Sequence, residues 1–542
     1  MGPRESLHAV ETVILILLVL VAGFAVMARR LKVPYPIVLV LAGLAISFLP
    51  RIPRIPLDPN IVFIIFLPPL LYASAWTMSW REFRRNAVMI TLLAFGLVGF
   101  TVWGIAEFSE RFITALDWKA GFLLGAVIST TDAIAATSIA KSLGLPRRVV
   151  DILEGESLLN DATGLLALEI GIGIIERGAM PSIGGGLLRL VYLVVGGLGI
   201  GLLIGAVVGW LERFVDDGPI ELVISLVVPY AAYLAGERAH ASGVLAVVAC
   251  GIYLSRKSAS IFSPGVRLQV VGAWNALTFI LNGLVFVLIG LQLPYVLAGI
   301  NGQYGKATLI FYGAVFSVVL ILLRMVWVFP AVKIAHAAKS WWVGYETKRL
   351  NHREVFVVGW TGMRGVIALA AAISVPNYLS GGRTFGARNL IVFLAFCVIL
   401  VTLVLQGLTL PAVIRKLGLA GATGEMDPEE REARRLALEA AIAHLGEERK
   451  QCEPAFDHVY DDMVHRYQHR LAAVGGEEDN DDDGRGFETY ARLRSIATGA
   501  LQAERRRLIA LRDSGEIGDD TLRTIERELD LAETRYQAMQ GE

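Results

Sequence analysis

The chain has 542 residues, 55% of them hydrophobic, a mean hydropathy of +0.57, and 50 basic against 50 acidic side chains. So apolar a composition excludes a single soluble domain, and the apolar residues fall into blocks of membrane-spanning length, so the expected class is an all-α polytopic membrane protein. The balanced charge hides an asymmetry, because residues 1–420 carry about 33 basic and about 21 acidic side chains and the remainder is acidic by a similar margin.

In chain order, blocks from 9–28 through 307–332 to 388–414 read as about thirteen helical spans. The MGPRES start formally fits a myristoylation pattern at Gly2 and Ser6, but so short a pattern recurs by chance and a chain with many spans needs no anchor. No cleavable signal peptide is expected, because the first block has an acidic, weakly basic approach and no small-residue cleavage site. An odd number of spans puts the termini on opposite sides. With alternate loops assigned to one side, about 20 basic residues collect there, among them Arg29, Arg30, Arg84, Arg85, Arg147, Arg148, Arg256 and Lys257, against about 11 opposite. The N-terminus is therefore expected outside and the C-terminus in the cytoplasm.

Two spans carry polar residues and glycines where a continuous lipid-facing helix would not: STTDAIAATS at 129–138 and GWTGMRGVIAL at 359–369. They lie an odd number of spans apart, about seven, and so run in opposite directions. This is the signature of inverted repeats with two interrupted helices crossing at the midplane. The repeat rests on position, not on sequence identity.

The segment GESLLNDATG at 155–164 sets Glu156, Asn160 and Asp161 inside an apolar stretch long enough to cross a bilayer. A carboxylate at that depth costs a few kcal/mol, so it faces a protein interior or an aqueous cavity and marks an ion or proton path. On a helix Ser157 and Asp161 share one face, with Glu156 and Asn160 on the adjacent strip. An interruption at Thr130–Asp132 adds Asp132 and freed carbonyls, an all-oxygen site that suits alkali cations more than soft metals. Arg364 is the cation expected at that depth and Glu156 its expected partner, which leaves Asp132 and Asp161 as the exchangeable negative charges. One monovalent cation or one proton then leaves the same net charge, and burial brings the two into competition near neutral pH. Asn160 cannot titrate. Each acid also has a plainer reading, a charge paired for packing rather than transport. Arg324 is expected to snorkel from the cytoplasmic end of its span, and Glu169, two turns past Asp161, reads as a funnel residue rather than a ligand.

Gly197, Gly201, Gly205 and Gly209 recur at every fourth position, a small face for close helix approach within one subunit or between two. After Gly418 the composition changes. Residues 1–418 are the expected transmembrane domain and 419–542 an acidic, helical cytoplasmic tail, possible seat of regulation. Asp427, Pro428, Glu429 and Glu430 supply the N-cap, first position and acidic first turn of a helix towards His444. Further helices are expected at 454–474, 487–511 and 520–539. EEDNDDDG at 477–484 partly fits a calcium loop, but Tyr490 stands where the bidentate acid belongs, so a solvated linker is the better reading. Cys250, Cys397 and Cys452 have no spacing that suggests a disulfide framework or a zinc site, and no cofactor is expected.

TTD at 130–132, GESLLND at 155–161, PYAAYLAGE with HASG between Pro229 and Gly243, and GMRG at 362–365 resemble motifs of the monovalent cation/proton antiporter family that includes the bacterial and animal sodium/proton exchangers. The resemblance spans essentially all the segments. It implies a secondary transporter rather than an enzyme, exchanging sodium or another alkali cation for protons in pH homeostasis, with no nucleic-acid partner. It also implies a homodimer in membrane lipid whose transport core slides as an elevator against a dimerisation domain. By the same resemblance Asp161 binds the cation or proton, Ser157, Asp132 and the Thr131 carbonyl assist, Asn160 shapes the site, and Glu156 pairs with Arg364. The Asn before Asp161 is similar to the electroneutral branch. Some relatives carry an acid shortly after a proline pair on the third span, whereas here Pro68 and Pro69 lead to Ala73 and Ser74, which leaves the choice among sodium, lithium and potassium open. Two other classes fit less well. An intramembrane aspartyl protease using Asp132 and Asp161 lacks the Gly-Asp contexts of such enzymes. A cation channel on the same scaffold would conduct, where coupled one-for-one exchange carries no current.

Overall fold

The structure is a computed structural model that describes residues 3–49, 58–177, 182–215, 217–261, 263–300, 302–342, 350–378, 384–421, 428–450, 457–475, 485–514 and 519–538. Among these residues the regular structure is helical, apart from an isolated bridge between Tyr378 and Thr384. The chain divides into two compact units, residues 1–423 and 424–542.

In the first unit nine helices among the described residues are long and apolar enough to cross a membrane. This is a multi-pass membrane protein. Local sequence sets where helices begin, because the first turn has amide groups with no partner inside the helix. Asp117 accepts from the Ala120 amide at 2.9 Å, Asp217 from Ile220 at 3.1 Å, and Asn351 with Glu354 forms a capping box at the start of His352–Trp360. Three long helices pass through a widened turn, at Val62–Phe66, Leu92–Leu97 and Thr402–Gln406, a local unwinding common at functional sites.

Two apolar clusters fill the interior. The larger draws on Leu93, Leu123, Phe286, Leu369 and Phe396, and the smaller on Leu71, Tyr72, Val247 and Trp274. The Arg147–Arg177 helix lies at their seam, since Ile152 and Leu153 pack into the first cluster and Leu158 into the second. The segment that carries Glu156, Asn160 and Asp161 is therefore shared between two packed bodies.

The glycine face of Ile183–Leu211 is covered from within the chain by the Gly243–Ile261 helix. A Cβ at Gly197 would lie 2.6 Å from the Ser242 carbonyl oxygen, and one at Gly201 would lie 2.9 Å from Ala246 Cα. Leu188, Val195 and Leu203 of the same helix are exposed. Cys250 and Cys397 are free thiols, and Cys452 lies outside the described residues.

The second unit holds the helices Pro428–Arg449, Asp457–Gly475, Arg485–Asp513 and Asp519–Ala538. Ion pairs one turn apart lace the first of them, among them Arg434 with Glu430 at 2.6 Å and Arg435 with Glu439 at 2.7 Å. Arg449 reaches Asp457 and Asp461 on the next helix, at 3.0 and 2.6 Å. The expected cap at Asp427 and the acidic run 477–484 lie outside the described residues.

The close approach at Gly201 makes a differential prediction, since a Cβ at Gly199 meets nothing within 4 Å. Gly201→Leu should lower the melting temperature in detergent, with a cost of about 1–3 kcal/mol, while Gly199→Leu leaves it unchanged. Equal melting of the two variants would refute the packing.

Candidate functional site

The Trp118–Ser129 helix ends where Thr130 turns extended, at φ −67° and ψ 139°. The chain resumes as Ala133–Ser142 behind Asp132, whose carboxylate accepts from the Ile134 amide at 2.8 Å. A second break, Thr361 to Gly365, separates His352–Trp360 from Val366–Ser374. The two breaks meet, with the Asp132 amide donating to the Met363 carbonyl at 2.8 Å. Glycine is required at 365 by this approach, because a Cβ there would lie 2.7 Å from Asp132 Cβ.

Breaking a helix inside the membrane frees amides and carbonyls that lipid cannot satisfy. Arg364, 1% exposed, meets that demand. Its Nε donates to the Ile128 carbonyl at 2.9 Å, its Nη1 to the Gly362 carbonyl, and its backbone amide to Thr402 Oγ1 at 3.2 Å. Ile128 sits in the last turn of its half-helix, so the guanidinium faces the negative end of a helix dipole.

The Arg147–Arg177 helix passes the first break and stitches it. Ser157 Oγ donates to the Thr131 carbonyl at 2.9 Å and accepts from the Ala133 amide at 3.3 Å. Asn160 Nδ2 donates to Thr131 Oγ1, which in turn donates to Glu156 Oε1 at 3.2 Å.

The expected ion pair of Glu156 with Arg364 is not formed. Glu156 is held by Arg324, each 1% exposed, with Nη1 on Oε1 and Nη2 on Oε2 at 2.8 Å. Arg324 Nε and Nη2 also donate to the Val358 carbonyl at 3.2 and 3.0 Å. Nor does Arg324 snorkel. The Lys306–Trp342 helix is 37 residues long and runs past the end of its apolar block, which places residue 324 at mid-helix instead of near a terminus. Arg364 is drawn to carbonyls because the breaks expose them beside it.

These elements wall a cavity of about 100 Å³, faced by Thr131, Asp132, Ser157 and Asp161. Asp161 and Asn160 are 3% and 1% exposed, and among the described residues no group donates a hydrogen bond to the Asp161 carboxylate. Of the sequence-derived set, then, Asp161, Asp132, Ser157, Thr131 and Asn160 come together, while Glu156 is one step back, bonded to Thr131. Glu169 is exposed and pairs with Arg189 at 3.3 Å. The cavity is also lined by Ser74 and Asn282, single neutral polar groups on apolar spans that carry no charge to draw attention in the sequence. Carboxylate, hydroxyl and carbonyl oxygens suit a hard cation, and no group of three His, Cys, Asp or Glu among the described residues forms a transition-metal cluster.

The family model described as sodium/hydrogen exchanger, transmembrane, matches residues 15–416. An uncharacterized Na+/H+ exchanger of Mycobacterium tuberculosis is 32% identical over 528 residues, covering 96% of this chain and 95% of that protein. The Na+/H+ antiporter ApNhaP of Aphanothece halophytica is 33% identical over 416 residues, covering 76% of this chain and 75% of its own length. In fold, the chain is similar to the sodium proton antiporter MjNhaP1 of Methanocaldococcus jannaschii, with a TM-score of 0.60 and 22% identity over 78% of this chain and 100% of that one.

The revised pairing is testable by a double-mutant cycle of thermal unfolding in detergent. Glu156→Gln strands a buried guanidinium and should cost about 3–5 kcal/mol, much of it recovered when Arg324→Gln is added. The same cycle with Arg364→Gln should show far weaker coupling. A stronger coupling of Glu156 to Arg364 than to Arg324 would overturn the assignment.

Proposed function

Because the chain belongs to the sodium/hydrogen exchanger family, we propose that it exchanges a monovalent cation, sodium first, for protons across the membrane, with Asp161 as the shared carrier. The observation that carries this reading is the charge held around the crossing breaks. The carboxylates of Asp132, Glu154, Glu156 and Asp161 stand with Arg324, Arg364 and Lys141, the last paired with Glu154 at 2.8 Å, which leaves one net negative charge. A single cation or a single proton neutralises it, and both together would leave an excess charge in a medium that penalises it. Exchange is then one for one and electroneutral.

Asp161 is the carboxylate with no other claim on it, since Glu156 belongs to Arg324 and Asp132 caps the Ile134 amide. Asp132, Ser157 and the Thr131 carbonyl supply further oxygens, and Asn160 holds the Thr131 hydroxyl without titrating. Sodium is supported by relatives such as the Na+/H+ antiporter of Aphanothece. The alternative is potassium or broad alkali cation exchange. It draws support from Ser74, a neutral residue on the cavity wall where an acid would sharpen the choice.

The seam between two apolar bodies is compatible with an elevator, in which a core built on the broken helices moves against the body around Tyr72 and Trp274. The crossing breaks support thirteen spans in inverted repeats. The exposed face of Leu188, Val195 and Leu203 offers a surface for lipid or for a second copy in a homodimer. The N-terminus is taken as external and the tail, 419–542, as a cytoplasmic regulator.

In proteoliposomes with the membrane potential clamped, a sodium gradient should drive proton flux, and Asp161→Asn should abolish it. Proton and sodium should compete, the apparent KM for sodium rising up to about tenfold per unit of acidification where Asp161 is protonated. Exchange that persists in Asp161→Asn would refute the reading, and a sustained current in place of silent exchange would favour a channel.

A further inference from the structure

Asn282 stands on the Pro264–Leu291 helix, an element that carries none of the motif residues, and lines the same cavity as Asp132 and Asp161. It is 8% exposed, and its Oδ1 is buried with no hydrogen-bond donor among the described residues. A buried amide oxygen without a donor is a standing cost, and such a group in a native interior calls for an occupant. Its neighbours along the cavity wall are the apolar Val285 and Phe286, so nothing on its own helix answers that demand. The Tyr35 phenol lies beside the Asn282 amide, yet Oδ1 is left without a donor.

Carbonyl-type oxygens are the neutral ligands that hard cations accept alongside carboxylates. We propose that Asn282 is a further ligand of the transported cation, its Oδ1 adding to the oxygens of Asp132, Asp161 and Ser157 and favouring a cation over a proton. The proposal rests on the exchange reading above. A proton needs only one carboxylate, whereas an alkali cation needs several oxygens around it. A neutral oxygen therefore tightens cation binding, leaves proton binding as it was, and keeps the charge count that makes exchange one for one.

The test uses the full chain in proteoliposomes, with sodium, lithium and potassium as probes. Asn282→Ala should raise the apparent KM for sodium about tenfold, keep kcat within about twofold, and leave the proton inhibition constant unchanged. Asn282→Ser, which retains one oxygen, should fall between Asn282→Ala and the wild type, and it carries the test if the alanine variant does not fold. An unchanged sodium KM overturns the proposal, and so does a parallel loss of sodium and proton affinity, which would mark a structural role. Wild-type protein that shows no cation-dependent proton flux would overturn the exchange reading itself. Wild-type exchange beside an Asn282→Ala of equal KM removes only the ligand.

Discussion

Two helices that stop inside the membrane impose the condition on which the rest of the structure depends: every amide and carbonyl they release must find a partner within the protein. Asp132 gives its amide to Met363, Arg364 spreads its guanidinium over the carbonyls of Ile128 and Gly362, and Ser157 closes on Thr131 and Ala133. Gly365 has no side chain because the opposing break leaves no room for one. The crossing is held by hydrogen bonds from charged and hydroxyl groups, and these same groups fix the charge of the cavity beside it.

That coupling of backbone satisfaction to charge explains why so polar a cluster can stay buried. A lone carboxylate at this depth is costly, and an arginine without partners equally so. Here Arg324 and Glu156 neutralise each other in a fork that also captures the Val358 carbonyl, tying the long Lys306–Trp342 helix to both Arg147–Arg177 and a half-helix. Arg364 answers helix ends instead of a carboxylate. The net result is a Glu156–Arg324 pair neutralised within the scaffold and an Arg364 that gives two of its three side-chain nitrogens to carbonyls, next to an Asp161 carboxylate that accepts no hydrogen bond among the described residues. Because the Arg147–Arg177 helix packs into both apolar clusters, its Asp161 stands at the boundary between them.

The sequence displayed the parts of this arrangement that violate the apolar pattern. TTD, GESLLND and GMRG put charge and glycine where a lipid-facing helix has neither, and each falls at the crossing. The pairing of the arginines was hidden. Lys333 and His336 end the apolar block after Arg324 and mimic a loop, yet the helix continues through them, so depth read from hydropathy placed Arg324 too near an end. The choice of Arg364 for carbonyls depends on where the freed helix ends point, which spacing along one strand of sequence does not encode. The glycine face of Ile183–Leu211 was visible as a face, but its partner, the Gly243–Ile261 helix, was a matter of tertiary packing. Asn282, an amide within an apolar block, acquires meaning only when the fold sets it on the wall of the cavity that Asp132 also lines.

The central claim is that one uncommitted negative charge is shared between proton and cation. Its most direct measurement is the number of protons released when sodium binds to the purified protein, read by titration calorimetry in two buffers of different ionisation enthalpy. At a pH where Asp161 is protonated, the account requires one proton released for each sodium bound, and none in Asp161→Asn. Sodium binding with no proton release, or with two protons released, would contradict it.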